Sequence, residues 1–272
     1  MITYLKQRAS SSKVFVGYLG AVAVACFGCA IYFFVVSMVR NAVLAIFCGL
    51  LICPGLLVAE YFLHLRLAPV FTFLLTLLFC GGLMLGPGFD FYFKFPNWDD
   101  ILHTASGLIF ACLGYAIADG MIAKNIKYRR FLCFATAIAF SLAIALLWEM
   151  FEYAGTTFLG MDMQEDAIVY RIRSFLLAGS HNDIVELDNI TQTVIYYGNG
   201  QTYTIDGYLD IGLYDTLNDM LVCLLGSLAL PLLYGIGRLF GKHPDKYLVP
   251  SLVERPATVT SLDDAACATA AE

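Results

Sequence analysis

A chain of 272 residues in which 60% of the side chains are hydrophobic and only 14% charged falls outside the range of a water-soluble globular domain. Its formal net charge of -6 carries no nucleic-acid signature, because acidic and basic residues are segregated along the chain. Composition excludes a soluble enzyme and a nucleic-acid binder, and the expected partner is the lipid bilayer.

A helix needs about 20 apolar residues to cross roughly 30 Å of hydrocarbon. Six stretches qualify in chain order: 14–38, 41–62, 67–87, 98–121, 130–156 and 213–237. Backbone groups in lipid must pair within their own segment, so these read as helices. The segment 1–13 carries Lys6, Arg8 and Lys13 and precedes a span too long for a signal-peptide core, so the first helix is expected to be retained. Eight of the nine cysteines fall in apolar runs and Cys267 in the tail, which argues against a disulfide framework. Cys26 and Cys29 have redox spacing but no polar neighbour, and read as packing residues.

Lysines and arginines cluster before the first span, after the second (Arg66), between the fourth and fifth (Lys124, Lys127, Arg129, Arg130) and after the sixth (Arg238, Lys242, Lys246). This bias predicts a multi-pass protein of the cytoplasmic membrane with both termini in the cytoplasm. Residues 14–160 then hold helices one to five, and 161–212 form an extracytoplasmic loop. Residues 213–237 form helix six, and 238–272 a cytoplasmic tail without regular structure. In the loop, Ile184–Leu187, Thr193–Tyr197, the Gly198-Asn199-Gly200 turn and Gln201–Ile205 predict a small hairpin or meander, while Ile172–Leu177 could lie along the interface. The loop is either a passive cap or a lid. The fold class expected is an all-α integral membrane protein, a bundle of six transmembrane helices with a small extracytoplasmic loop containing a β-hairpin.

Three polar clusters stand at the outer ends of the last three spans: Asp99 with His103, Glu149 with Glu152, and Asp215 with Asp219. Residues three or four apart share a helix face, so each helix points two polar groups one way. Ionisable groups at membrane depth are costly and mark a working site by default. No lysine or arginine occurs within the clusters, so gathered carboxylates need a cation or protons to offset their repulsion. The oxygen-rich set with one imidazole suits Mg²⁺, Mn²⁺ or Ca²⁺ and admits Zn²⁺. Asp99, His103, Glu149, Glu152, Asp215 and Asp219 are the candidate ligands, and Glu149, Glu152 and His103 the candidate catalytic groups, one glutamate serving as general base. Each has a plainer role as well. Asp99, Asp100 and Asp215 stand where helix caps are made, and His103 could bond between helices. Glu149 and Glu152 sit toward a C-terminal end, where the helix dipole disfavours anions, so capping does not explain them. Glu60 and His64 read as interfacial anchors, and Trp98, Phe89, Tyr92 and Phe93 as an aromatic belt.

The spacing Asp99-x3-His103 with Gly107, then Glu149-x2-Glu152 with Gly160, then Asp215-x3-Asp219-Met220-x5-Gly226 resembles the YjdF family of bacterial inner-membrane proteins and, more distantly, the VanZ-like proteins, over about residues 95–235. The chain departs from the YjdF-like pattern by a long insertion between Gly160 and Asp215. It also lacks the arginine that VanZ-like proteins tend to show before their Asp helix. The resemblance implies a cell-envelope location. Together with the clusters it leaves three readings open: a divalent-cation-dependent protein acting on a lipid or lipid-linked envelope molecule, a proton- or cation-coupled transporter, and a non-catalytic membrane assembly protein.

Overall fold

With no water in hydrocarbon to satisfy an exposed amide, an apolar chain of this kind resolves into helices wherever it must cross. The computed structural model describes Tyr4, Lys6, Arg8, Ser10 and residues 12–252. Among the described residues six helices are long and apolar enough to span a membrane: α1 Lys13–Val35, α2 Val39–Leu63, α3 Pro69–Phe89, α4 Trp98–Met121, α5 Arg129–Leu159 and α6 Leu213–Leu239. Local chemistry sets several of their ends. The Ser12 hydroxyl accepts from the Phe15 amide at 3.4 Å at the start of α1. Pro69 opens α3, where a missing N–H costs nothing. His64 closes α2 in the left-handed region at φ 52.

Two helices are locally underwound, where the sequence predicts continuous spans. A π turn occupies Leu51–Gly55 in α2, where Pro54 lacks the amide that a regular turn requires. A second π turn, Gly81–Leu85, lies in α3. There Trp98 at the head of α4 donates its indole N–H to the Gly81 carbonyl at 3.4 Å, so this residue fastens two helices together.

The chain divides into two compact units, Met1–Ser141 with Cys223–Glu272, and Leu142–Val222. In the first unit a continuous apolar core runs through Leu19, Cys26, Phe33, Cys48, Ile52 and Ile109. Helix α4 meets the part of α6 that belongs to this unit at backbone distance. A Cβ on Gly107 would collide with the Cys223 carbonyl, and one on Gly226 with the Thr104 carbonyl. Membrane helices lack a hydrophobic driving force between them, so such contacts between small residues are what joins them. Ser141 of α5 adds a hydroxyl bond to the Gly107 carbonyl at 2.9 Å.

The same unit holds a buried polar knot. Glu60 accepts from both Nε and Nη2 of Arg8 at 3.0 Å, from the Tyr4 hydroxyl at 2.9 Å and from the Leu67 amide at 2.8 Å. Its side chain is fully buried, so Glu60 is an internal clamp between the N-terminal segment and the α2–α3 connection, a role an interfacial anchor would not have. Beyond α6, where no regular structure was expected, Asp245–Leu248 forms a helical turn. Strand β8 (Ser251–Leu252) then pairs antiparallel with β1 (Leu65–Arg66). The remainder of the predicted tail, 253–272, lies outside the described residues.

In the second unit the segment between α5 and α6 forms three antiparallel pairs. Strand β2 (Ala167–Val169) pairs with β7 (Tyr208–Asp210), β3 (Arg171–Ser174) with β4 (Val185–Asp188), and β5 (Thr193–Tyr197) with β6 (Gln201–Ile205). The last is the expected hairpin around Gly198-Asn199-Gly200, with Gly198 and Gly200 at positive φ. Residues 172–177 do not run as one interfacial stretch: they divide into β3 and a short helix, Phe175–Ala178. Alternating charge explains this. Arg171 forks onto Asp188 and Arg173 onto Glu186 across the β3–β4 pair.

Two outcomes follow from this packing. Gly107→Leu is expected to destabilise the protein in detergent by at least about 1–3 kcal/mol by overpacking. Gly20→Ala, where a Cβ meets nothing within 4 Å, should be neutral or stabilising, both read by thermal unfolding. Arg8→Met should cost about 3–5 kcal/mol by leaving the Glu60 carboxylate buried without its cation. The double variant Arg8→Met/Glu60→Gln should recover more than half of that loss, and a double variant as unstable as the single one would contradict the buried-charge account.

Candidate functional site

Three carboxylates converge inside the second unit. Glu149 and Glu152 occupy one face of α5, and Asp219 sits in the second turn of α6. Each offers an oxygen within 4.8 Å of the others. All three are buried, at 4%, 8% and 1% exposure, a degree of enclosure rare for acidic side chains. Asp215, one turn before Asp219, offers an oxygen within the same distance of it.

The surroundings explain how the two helix ends are held. The Trp148 indole donates to Glu152 Oε1 at 2.8 Å, which fixes that carboxylate on the α5 surface. After α5 the chain turns back, and the amides of Met163 and Gln164 both donate to the Thr156 hydroxyl, at 3.1 and 3.3 Å. Gln164 then reaches across to Thr216 on α6 at 2.8 Å, and the Glu165 amide donates to Asp215 Oδ2 at 3.1 Å. The return segment is therefore a brace between α5 and α6. The Met163 side chain lies over Gly155.

At the start of α6, Asp210 Oδ2 accepts from the Tyr214 amide at 2.7 Å, and Asp215 in the first turn takes part in the brace. In the first unit, Asn97 stands at the cap of α4 and makes no side-chain bond there, with Asp99 and Asp100 in the first turn. Asp99 Oδ2 lies 3.6 Å from Nε2 of His103, so these two predicted residues pair on one helix face as their spacing implies. His103 is buried; the Cys223 thiol of α6 lies 3.2 Å from its carbonyl and 3.8 Å from its Nδ1. The Ser106 hydroxyl bonds the same carbonyl at 2.8 Å.

Trp148, Thr156, Gln164 and Thr216 were not singled out from the sequence. The four-residue spacing from Trp148 to Glu152 was the one available signal, and the brace depends on a chain reversal that no local pattern announces.

Outside the spans, electrostatics separates the loop into two parts. The Arg173 guanidinium holds the Glu186 carboxyl below its ordinary range, and Arg171 does the same for Asp188, with help from the Asn189 amide. Asp166 is shifted the other way, first by partial burial and then by Asp162 and Asp210. The segments that leave α5 and enter α6, carrying Asp162, Asp166 and Asp210, are thus acidic and mutually repulsive, whereas the β3–β4 pair is neutralised internally.

Chemically, three buried carboxylates at this separation cannot all be ionised at little cost: at an effective dielectric of 20, each charged pair repels by about 3 kcal/mol. A divalent cation or shared protons relieve that repulsion, and the oxygen donors match a hard cation. No curated protein and no solved structure matches the chain. A family model described as "Predicted membrane protein (DUF2238)" matches residues 18–239, from within α1 to the last residue of α6. With six apolar helices of spanning length and that match, the protein resides in a lipid bilayer, and it belongs to the DUF2238 family of predicted membrane proteins.

Proposed function

We propose that this protein uses a buried acidic site to bind a divalent cation and to act on a lipid or lipid-linked molecule of the cell envelope. One observation carries the reading: the oxygens of Glu149, Glu152 and Asp219 lie within 4.8 Å of one another at buried positions in a chain built for lipid. Stability alone gives no reason to collect like charges where water is excluded, so the expense points to a bound positive guest.

In this scheme Glu149, Glu152 and Asp219 are ligands, with Asp99, His103 and Asp215 completing or orienting the set. His103 is included with Asp99 as a pair on one face of α4, Asp99 Oδ2 lying 3.6 Å from its Nε2. A bound cation would polarise a phosphoryl or carbonyl oxygen, and a glutamate not engaged by it would accept a proton as general base. The motifs over residues 95–235 support a YjdF-like assignment within the family. The distribution of lysine and arginine supports the cytoplasmic membrane with both termini inside, which would turn the acidic site and the 161–212 loop outward.

The test is metal binding by purified full-length protein, with Mn²⁺, Mg²⁺, Ca²⁺ and Zn²⁺ each titrated into chelator-stripped samples. At least one should bind stoichiometrically and raise thermal stability, by about 2.7 kcal/mol at a hundredfold excess over Kd. Glu149→Gln and Asp219→Asn should each weaken that binding at least about tenfold. A parent protein that binds none of the four sinks the proposal. Cation-driven proton flux in vesicles that is lost in the same variants would transfer the site to a transporter.

A further inference from the structure

The β5–β6 hairpin of the second unit presents a face that nothing in the acidic site uses. Successive side chains of a strand alternate between faces, so the register sorts the hairpin into two surfaces. On one, Ile195 stands opposite Tyr203 and Tyr197 opposite Gln201; on the other, Val194 stands opposite Thr204 and Tyr196 opposite Thr202. The first surface carries two tyrosines and an isoleucine, the second two threonine hydroxyls. Ile195, Tyr197 and Tyr203 are all exposed, Tyr203 at 61%. Among the described residues β5 and β6 pair with each other and with no further strand.

A two-stranded ribbon with both faces in water is marginal, because it orders backbone without burying side chains. A cover over one face removes that weakness, and the chemistry of this face selects the cover. From Asn189 to Ile205 the chain carries no lysine, arginine, histidine, aspartate or glutamate, so it offers a charged partner nothing to pair with. Tyrosine rings among aliphatic side chains are instead what the headgroup region of a bilayer favours, ring in the apolar layer and hydroxyl toward water. The hairpin is also tethered close to a span. Its root is fastened where the Thr193 hydroxyl donates to the Gly207 carbonyl at 2.6 Å, and α6 opens at Leu213, eight residues past Ile205 and so at most about 29 Å away along the chain. The connection is itself apolar and exposed at Ile211, Leu213 and Tyr214, leading to the exposed Leu217 and Leu221 of that span.

We propose that the Ile195, Tyr197 and Tyr203 face of this hairpin docks on the surface of the bilayer that the protein's own helices cross, with Thr202 and Thr204 turned to water. The face rests where amphipathic segments rest, about 5–10 Å into the boundary between headgroups and acyl chains. Because the hairpin is uncharged, the docking is driven by apolar burial and is indifferent to lipid charge and to salt. This surface shares no residue with the acidic site and stands or falls without it.

Two full-length variants test the assignment, Tyr203→Trp and Thr202→Trp, which set a new indole on either face of one strand. Each is reconstituted in phosphatidylcholine vesicles with bromine near the head end of the acyl chains, or with iodide on both sides of the membrane. The emission of the parent chain, from Trp98 and Trp148, is subtracted. The added emission at position 203 should be lost to brominated lipid and kept in iodide, and that at position 202 should behave the other way round. Neither should change when phosphatidylglycerol replaces part of the phosphatidylcholine or when salt is raised. Iodide quenching of both positions alike puts the hairpin in water and overturns the proposal. Protection of position 203 from bromine and iodide together overturns it as well, since the face is then covered by protein. Should Tyr203→Trp fail to give a monodisperse protein, Ile195→Trp decides in its place, because position 195 lies directly opposite on the same face.

Discussion

The constraint on which the first unit depends is the backbone contact between α4 and α6 at Gly107 and Gly226. Each glycine faces a carbonyl of the opposing helix, Cys223 and Thr104, so the two helices touch through main chain at two levels about one turn apart along each helix. The register of the first-unit part of α6 against α4 is thereby fixed, and with it the place of Cys223 beside the His103 carbonyl. A larger side chain at either glycine would drive backbone from backbone and part that contact.

On α5 and α6 the acidic residues are held by a different means. The return segment lends two amides to Thr156 and one to Asp215, and its Gln164 side chain joins Thr216. These bonds span the two helices that bring Glu149, Glu152 and Asp219 together. The loop beyond adds little to that restraint: its three strand pairs are short, and the Arg171–Asp188 and Arg173–Glu186 forks lie exposed, where ion pairs contribute weakly.

Much of this was legible in the sequence. Six apolar runs of spanning length gave the six helices, because in lipid the backbone has no alternative to pairing with itself. The spacing of Glu149 with Glu152 and of Asp215 with Asp219 gave shared faces, and the structure joins Glu149, Glu152 and Asp219 across two helices. What stayed hidden depends on contacts between residues far apart in the chain. Glu60 reads alone as a boundary carboxylate; only the fold brings Arg8, Tyr4 and the Leu67 amide to it. The β1–β8 pair joins residues nearly two hundred apart, and two residues per strand leave no periodicity to detect. The π turns were equally silent, since Pro54 marks an irregularity without specifying its kind, and Gly81 and Gly82 permit many.

Helix α4 relates the two polar regions of the first unit. Its first turns carry Asp99 and His103, and its last residues, with the Tyr115–Lys124 stretch, line a cavity that Arg8, Arg66 and Lys246 also line; at 24 residues and 1.5 Å per residue these ends are about 36 Å apart. The middle of the helix is walled by small buried residues, Gly107, Ala111, Cys112 and Gly114. A shift of the helix along its axis would move both ends together. The same glycine contacts that hold α4 against α6 resist such movement, since a slide along the axis drives backbone into backbone. Helix α4 thus acts as a rigid post with an acid–imidazole pair at one end and a lysine- and arginine-lined cavity at the other, and the segregation of charge first visible in the sequence runs along a single helix.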